Sequence, residues 1–122
     1  MNPPEMTDMR TEYSKTLVEI GRENPNVVVL GADTTDSLKT SGFGKEFPNR
    51  FFNVGIAEGN LVTISAGLAI SGKTPFASTY AIFLPGRAVD QIRNGVAYPS
   101  PNNKKGLNVK LVSSHGGLSV GP

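Results

Sequence analysis

The sequence contains no cysteine and no tryptophan, and its one histidine is His115. Without cysteine the chain can form no disulfide, no thiolate nucleophile and no cysteine-ligated zinc site. A single histidine also argues against a histidine-based metal site within this chain. Both common glycine-rich phosphate-binding motifs are missing as well. These absences exclude several classes of catalytic and metal site.

The chain also has a small net charge and no long apolar run. The 122 residues carry 12 Lys and Arg against 10 Asp and Glu, a net charge of +2. So small a surplus of scattered basic residues predicts neither a nucleic-acid partner nor a membrane surface. No apolar run approaches the roughly 20 residues that span a bilayer, so we expect a cytoplasmic protein. The length allows one domain, residues 1–122, with a modest core.

Hydrophobic periodicity predicts an alternation of strands and helices. Four apolar runs have strand character, at 27–30, 51–54, 74–79 and 107–113. A helix with an apolar face precedes the first strand, starts at a Thr7 or Asp8 cap and ends with Gly21 and the Asn24-Pro25 pair. Residues 40–50 contain two glycines and a proline and predict a loop with at most one helical turn around Lys45 and Glu46. The alternation is typical of an α/β fold with an open, mostly parallel sheet and helices on both faces.

Two helices follow the second and third strands. Residues 58–70 are apolar nearly all round, which predicts burial on every side, by the fold or by a partner subunit. The next helix has an apolar stripe that consists of Ala88, Val89, Ile92 and Val96. We expect both helices to cover the sheet.

Polar and aromatic side chains follow each predicted strand. They are Asp33, Ser37, Glu58, Tyr80, Phe83 and His115. The carboxyl ends of parallel strands lie at one edge of the sheet, so these residues are expected to converge there on a ligand site. Simpler interpretations remain open: residues 31–37 can form polar turns, Glu58 can stabilise a helix start, the two aromatics can be core, and His115 can be a hydrogen-bonding residue. The pattern predicts a site without naming a reaction.

Several motifs in this order resemble those of a known family. They are GAD at 31–33, NVGIAEGN at 53–60, PFASTYAIF at 75–83, GRA at 86–88 and DQIRN at 90–94. Together they look like the pyrimidine-binding domain of transketolases, and most closely like the separate C-terminal subunit of two-chain transketolases. The resemblance runs from about Thr11 to the end of the chain. The sister enzyme 1-deoxyxylulose 5-phosphate synthase shares the motif that ends in Glu58.

The resemblance implies roles for the residues at the strand ends. Glu58 would hydrogen-bond the ring nitrogen N1′ of the aminopyrimidine of thiamine diphosphate and favour its imino tautomer. Tyr80 and Phe83 would pack on that ring, and Asp33 would lie near the cofactor. Ser37 and His115 would contact the sugar-phosphate substrate. The reaction implied is the transfer of a two-carbon ketol unit between two sugar phosphates.

The chain also departs from the family pattern. Gly59 stands where most relatives have glutamine or histidine, and Gly86 stands where some carry a third aromatic residue. The family's downstream C-terminal region is absent, so a truncated domain is expected. The motif that binds the diphosphate and Mg²⁺ belongs to a different domain, which implies a diphosphate-binding N-terminal subunit as partner in a homo- or hetero-oligomer. A synthase-like fragment and a non-catalytic assembly module are the alternatives.

Overall fold

A computed structural model of the chain describes residues 6–99 and 106–117. Its centre is a four-stranded sheet formed by β1 (Val27–Gly31), β2 (Phe51–Asn53), β3 (Thr74–Tyr80) and β4 (Lys110–Ser114). The strands lie in the order β2-β1-β3-β4, and each neighbouring pair is parallel. The predicted open, parallel α/β architecture is confirmed. Gly121 and Pro122, which the sequence predicts to lie in a loop, are outside the described residues.

Helices cover both faces of the sheet. They are α1 (Met9–Glu23), α2 (Ser41–Glu46), α3 (Glu58–Ile70) and α4 (Phe83–Gln91), the last of which continues as a π-helical segment over Ile92–Ala97. One apolar cluster joins α1 and α2 to one face of the sheet, and a second joins α3 to the other. A third cluster packs α4 on α3. Within the described ranges, none of these helices is long and apolar enough to cross a membrane.

Strand β1 lies at the centre of this core, and all five of its residues are buried. Side chains alternate between the two faces of a strand, so a strand covered on both sides must be apolar throughout. Val27 and Val29 accordingly pack with Leu17 of α1, whereas Val28 and Leu30 pack against α3. The predicted continuous apolar strand is therefore the one that both helical layers enclose.

Helix α1 ends at the predicted Asn24-Pro25 pair, with Asn24 as its C-cap, but Gly21 lies within the helix. Asp8 caps the helix start, since its carboxylate accepts the backbone N–H of Arg10 at 3.1 Å. Gly21 does not end the helix, which continues to Glu23. Gly21 is instead a point of close packing, because a Cβ atom there would lie 2.6 Å from the Phe43 ring. The guanidinium of Arg50 donates to the Gly21 carbonyl at 2.9 Å and so satisfies a helix-end acceptor.

Other corrections follow from tertiary packing. The predicted loop at 40–50 contains the six-residue helix α2, whose Phe43 is completely buried against α1. Helix α3 has the predicted bounds, but its all-round burial is not achieved within the described chain, since Ile70 is 66% exposed. In α4 the buried pair is Leu84 and Ala88, whereas Val89 faces solvent. Strand β4 begins at Lys110 instead of residue 107.

Candidate functional site

The carboxyl edge of the sheet carries the residues that the sequence singled out. Asp33 follows β1, Glu58 follows β2, Tyr80 ends β3 and His115 follows β4. Phe83 opens α4, three residues beyond the end of β3. Because all four strands are parallel, their carboxyl ends meet at one edge, as predicted. Tyr80, Phe83 and His115 form one aromatic group that Arg87 connects to Glu58, whereas Ser37 lies apart from it and is contacted through its backbone carbonyl by Arg10.

Glu58 is a buried carboxylate at the start of α3. It is 3% exposed, and both of its oxygens lie 3.3 Å from Nη1 of Arg87 on α4. The carboxylate therefore reaches across to a neighbouring helix, although its position at the helix N-terminus also favours a negative charge. The preceding residue, Ala57, makes no side-chain capping bond. A buried carboxylate that pairs with a partly exposed, charged arginine is an arrangement found at acid-base and ligand-binding sites.

Three aromatic rings extend from this carboxylate towards β4. The Tyr80 ring lies 5.8 Å from the Phe83 ring and 4.6 Å from the His115 ring, centroid to centroid. The guanidinium carbon of Arg87 lies 3.8 Å from the centre of the Phe83 ring. Tyr80, Phe83 and His115 are each only partly buried, so they are not simply core residues. Their rings provide faces on which a flat ligand can stack.

Asp33 is connected to the loop before Glu58 through Asn53. The side-chain oxygen Oδ1 of Asn53 accepts hydrogen bonds from the backbone N–H groups of Asp33 and Gly55, each at 3.0 Å. Its amide nitrogen donates to the Asp33 carboxylate at 3.3 Å. Asp33 has a φ of 58°, a left-handed conformation that a non-glycine residue adopts only where its surroundings hold it. Asn53 therefore fixes the position of Asp33, a role that the sequence pattern did not reveal.

Ser37 and His115 lie near a cavity of about 710 Å³ between the N-terminus of α1 and the end of β4. Arg10 and His115 both line this cavity, and Arg10 Nη1 donates to the Ser37 carbonyl at 3.2 Å. The sequence prediction missed Arg10 because it considered only strand ends, whereas Arg10 lies at the start of a helix. Its guanidinium adds a fixed positive charge to the cavity.

Charge and burial shape the surroundings of this cavity. Its wall includes Tyr13, whose hydroxyl lies 2.7 Å from Ser78 Oγ. Burial raises the pKa of Tyr13 to about 12, so the phenol stays neutral at physiological pH. At the rim, a hydrogen bond from Lys39 holds the pKa of Asp8 well below its usual range. Ser114 Oγ lies 2.6 Å from His115 Nδ1, which orients the imidazole.

The two glycines that depart from the family pattern have different surroundings. A Cβ atom at residue 59 would lie 3.2 Å from the side chain of Gln91, so the space beside Gly59 is filled by that amide. A Cβ atom at residue 86 would meet nothing within 4 Å. The wall beside Phe83 is therefore open at Gly86.

The donor set fits one kind of ligand and not another. A buried carboxylate next to aromatic faces suits a planar nitrogen heterocycle, which can share a proton with the acid and stack on the rings. In the described ranges, no three His, Cys, Asp or Glu side chains gather closely enough to hold a metal ion. The described part of the site thus suits a flat nitrogen heterocycle.

Comparisons with known proteins agree with this geometry. The family described as "Transketolase, pyrimidine binding domain" matches residues 5–122. A protein of Methanocaldococcus jannaschii, provisionally named as a transketolase C-terminal section, is 50% identical over 93% of this chain and 34% of its own length. A Geobacter sulfurreducens protein named 1-deoxy-D-xylulose-5-phosphate synthase 1 is 45% identical over 69% of this chain and 13% of its own length.

A solved structure described as a split gene transketolase, inactive beta4 tetramer, is also similar. It superposes with a TM-score of 0.74 at 55% identity and covers 87% of this chain. The chain spans 33% of that protein, and about a third of the M. jannaschii relative. The matched family covers nearly the whole sequence, and the fold agrees. The chain therefore belongs to the transketolase pyrimidine-binding domain family.

Proposed function

We propose that this chain supplies the pyrimidine-binding half of the active site of a thiamine-diphosphate-dependent transketolase. The assembled enzyme would transfer a two-carbon ketol unit between sugar phosphates. The observation that carries the proposal is the buried carboxylate of Glu58, which hydrogen-bonds the flat guanidinium of Arg87 where that group stacks on Phe83. The proposal includes the cytoplasmic location expected from the sequence.

Glu58 would act as the acid that shares a proton with the ring nitrogen of the cofactor. A carboxyl group can hold such a proton best in a dry pocket, where burial disfavours its unshared charge. Phe83 and Tyr80 would stack on the ring and exclude water, and Asp33, held by Asn53, would lie at its edge. When bound, thiamine diphosphate supplies the electron sink for cleaving and forming the bond next to a carbonyl.

The cavity beside β4 would receive the sugar phosphate. Arg10 offers a planar guanidinium, which suits the oxygens of a phosphate, and His115 offers an imidazole at the same cavity. Ser37, whose carbonyl accepts from Arg10, would complete the contact with the substrate. The cavity touches the aromatic group through His115 and Tyr80, so a substrate held there would adjoin the cofactor ring.

The diphosphate and Mg²⁺ would be held by an N-terminal partner subunit. In support, the described residues include no cluster of metal ligands. Helix α3, which begins at Glu58, also presents Thr63, Ile64, Gly67 and Ile70 on its exposed side, and they form an apolar and small-residue surface. A surface of this composition suits a subunit contact.

Two alternative functions are each supported by one observation. The likeness to a protein named as a deoxyxylulose phosphate synthase favours a reaction that uses pyruvate as donor. The similar split-gene transketolase tetramer is inactive, which favours a non-catalytic assembly role. The experiment below separates all three.

The test is a titration of thiamine diphosphate and Mg²⁺ into this chain, alone and mixed with a diphosphate-binding subunit, followed by near-UV circular dichroism. We expect a signal only with both subunits, and turnover with ketose phosphate donors instead of pyruvate. Glu58→Gln should lower turnover by about 10² to 10⁴, the usual contribution of a positioned acid or base. Glu19→Gln, the same change at an exposed site on α1, should have no effect.

Each alternative has its own outcome. Turnover with pyruvate and not with ketose phosphates would indicate the synthase. Stable co-purification of the two subunits without any cofactor-dependent signal would indicate an assembly module. Near wild-type turnover by the Glu58→Gln complex would contradict the role given to Glu58.

A further inference from the structure

The guanidinium group of Arg87 lies between the two groups that a ring ligand would use. Its Nη1 is 3.3 Å from both oxygens of Glu58. Its Cζ is 3.8 Å from the centre of the Phe83 ring. A flat, cationic group therefore already hydrogen-bonds the buried carboxylate and covers the aromatic face.

This contact compensates a charge that the fold would otherwise leave buried. An ionised carboxylate that is removed from water without a partner is strongly disfavoured. Glu58 is 3% exposed, and Arg87 supplies the opposite charge while its planar group gains a cation–π contact with Phe83. Arg87 is thus the ion-pair partner of the buried Glu58 carboxylate.

The same contact can be broken without moving the backbone. The Arg87 side chain is 48% exposed, so it already has access to solvent. Its neighbour Gly86 has open space where a side chain would be, so nothing there hinders rotation of Arg87. Rotation towards solvent would cost Arg87 little, because water solvates the guanidinium charge while the aliphatic stem stays packed.

We propose that Arg87 is a placeholder for the cofactor ring, and that it must swing towards solvent before the ring can reach Glu58 and Phe83. This inference rests on the proposed function. A guanidinium and a protonated aminopyrimidine share the relevant chemistry, since both are flat, donate N–H groups to a carboxylate and stack on an aromatic ring. Arg87 therefore competes with the cofactor and lowers its affinity, while it protects the empty site.

The test compares the affinity of the assembled two-subunit complex for thiamine diphosphate, at saturating Mg²⁺, between wild type and Arg87→Met. Methionine keeps the length of the side chain but has neither the charge nor the planar group. Without the competing charge-assisted contact, we expect affinity to rise roughly tenfold. Arg87→Lys, which keeps the charge but cannot stack as a plane, should lie between the two. Arg93→Met removes an exposed arginine that contacts Tyr98 and should leave affinity unchanged.

A second measurement uses the wild-type chain and so does not depend on how the variant folds. The Nε–Hε resonance of Arg87 should carry a ring-current shift from Phe83 in the free chain and lose it when the complex is saturated with cofactor. An unchanged resonance at saturation, or an Arg87→Met complex that binds no more tightly than wild type, would overturn the placeholder role alone. Failure of the wild-type complex to bind the cofactor at all would overturn the proposed function and this inference with it.

Discussion

Replacing Gly21 with alanine adds one methyl group at a point where helix α1 has no room for it. The new Cβ atom would lie 2.6 Å from Cε2 of Phe43 and 2.8 Å from Cε2 of Phe47. Phe43 is completely buried, so its ring cannot move aside into solvent. We therefore expect the substitution to strain the contact between α1 and α2.

The magnitude follows from two opposing contributions. Overpacking a core by one methyl group costs about 1–3 kcal/mol. Replacing glycine within a helix returns up to about 1 kcal/mol through higher helix propensity. Because the Cβ atom would clash with two rings, we place the cost at the upper end of that range, about 2–3 kcal/mol, so the net expectation for Gly21→Ala is a loss of about 1–2 kcal/mol in the free energy of unfolding.

Gly67→Ala is the matched control. Gly67 lies on the exposed side of α3, and a Cβ atom there would meet nothing within 4 Å. The same substitution should therefore stabilise the free chain by up to about 1 kcal/mol, through helix propensity alone.

Urea unfolding of the free chain, followed by far-UV circular dichroism, measures both variants. For an m-value of about 1–3 kcal/mol per molar, we expect the midpoint of Gly21→Ala to fall by about 0.3–2 M and that of Gly67→Ala to rise by up to about 0.3–1 M. A change of the same sign in both variants would refute the packing argument, because it would mean that helix propensity, and not the room beside the helix, decides the effect at residue 21.

The remaining predictions concern the candidate site. Because burial raises the pKa of Tyr13 from 10.0 to about 12, the fold holds the phenol proton more tightly than the unfolded chain does. Its contribution to the free energy of unfolding is fully present below pH 10 and is lost as the pH rises through 12. Urea unfolding across that range should show a loss of about 2–3 kcal/mol in the wild type, and Tyr13→Phe should abolish this loss. Asn53→Asp keeps the acceptor for the N–H groups of Asp33 and Gly55 but places a second carboxylate where the amide donated to Asp33. We expect it to lower stability at neutral pH by about 1 kcal/mol and to weaken cofactor binding by the assembled complex, and equal affinity in Asn53→Asp and wild type would contradict the positioning role of Asn53.

The alternation of apolar runs was sufficient to predict the sheet and the convergence of its carboxyl ends. A strand covered on both faces must be apolar throughout, and a polar strand end must lie at the sheet edge, so both are properties of the local sequence. The sequence pattern accordingly predicts that Glu58, Tyr80, Phe83 and His115 lie at that edge. The chemistry of the site came from the resemblance of motifs, since the same residue types at strand ends are compatible with many reactions.

Long-range packing decided the rest. Gly21 signals a helix end by its residue type, and only the approach of Phe43 shows that it is a contact point instead. Arg10 lies in the first turn of a helix, far in sequence from Ser37 and His115, and the tertiary fold alone brings it to their cavity.

The contact between Arg87 and Glu58 depends on the tertiary structure in the same way. The two residues are 29 positions apart and lie on different helices, so no periodicity within either helix relates them. The sequence by itself determined which edge of the sheet carries the site, because side-chain alternation and strand polarity are local. Which charges meet there was decided only by the packing of α4 on α3, because ion pairing depends on distances between segments that are remote along the chain.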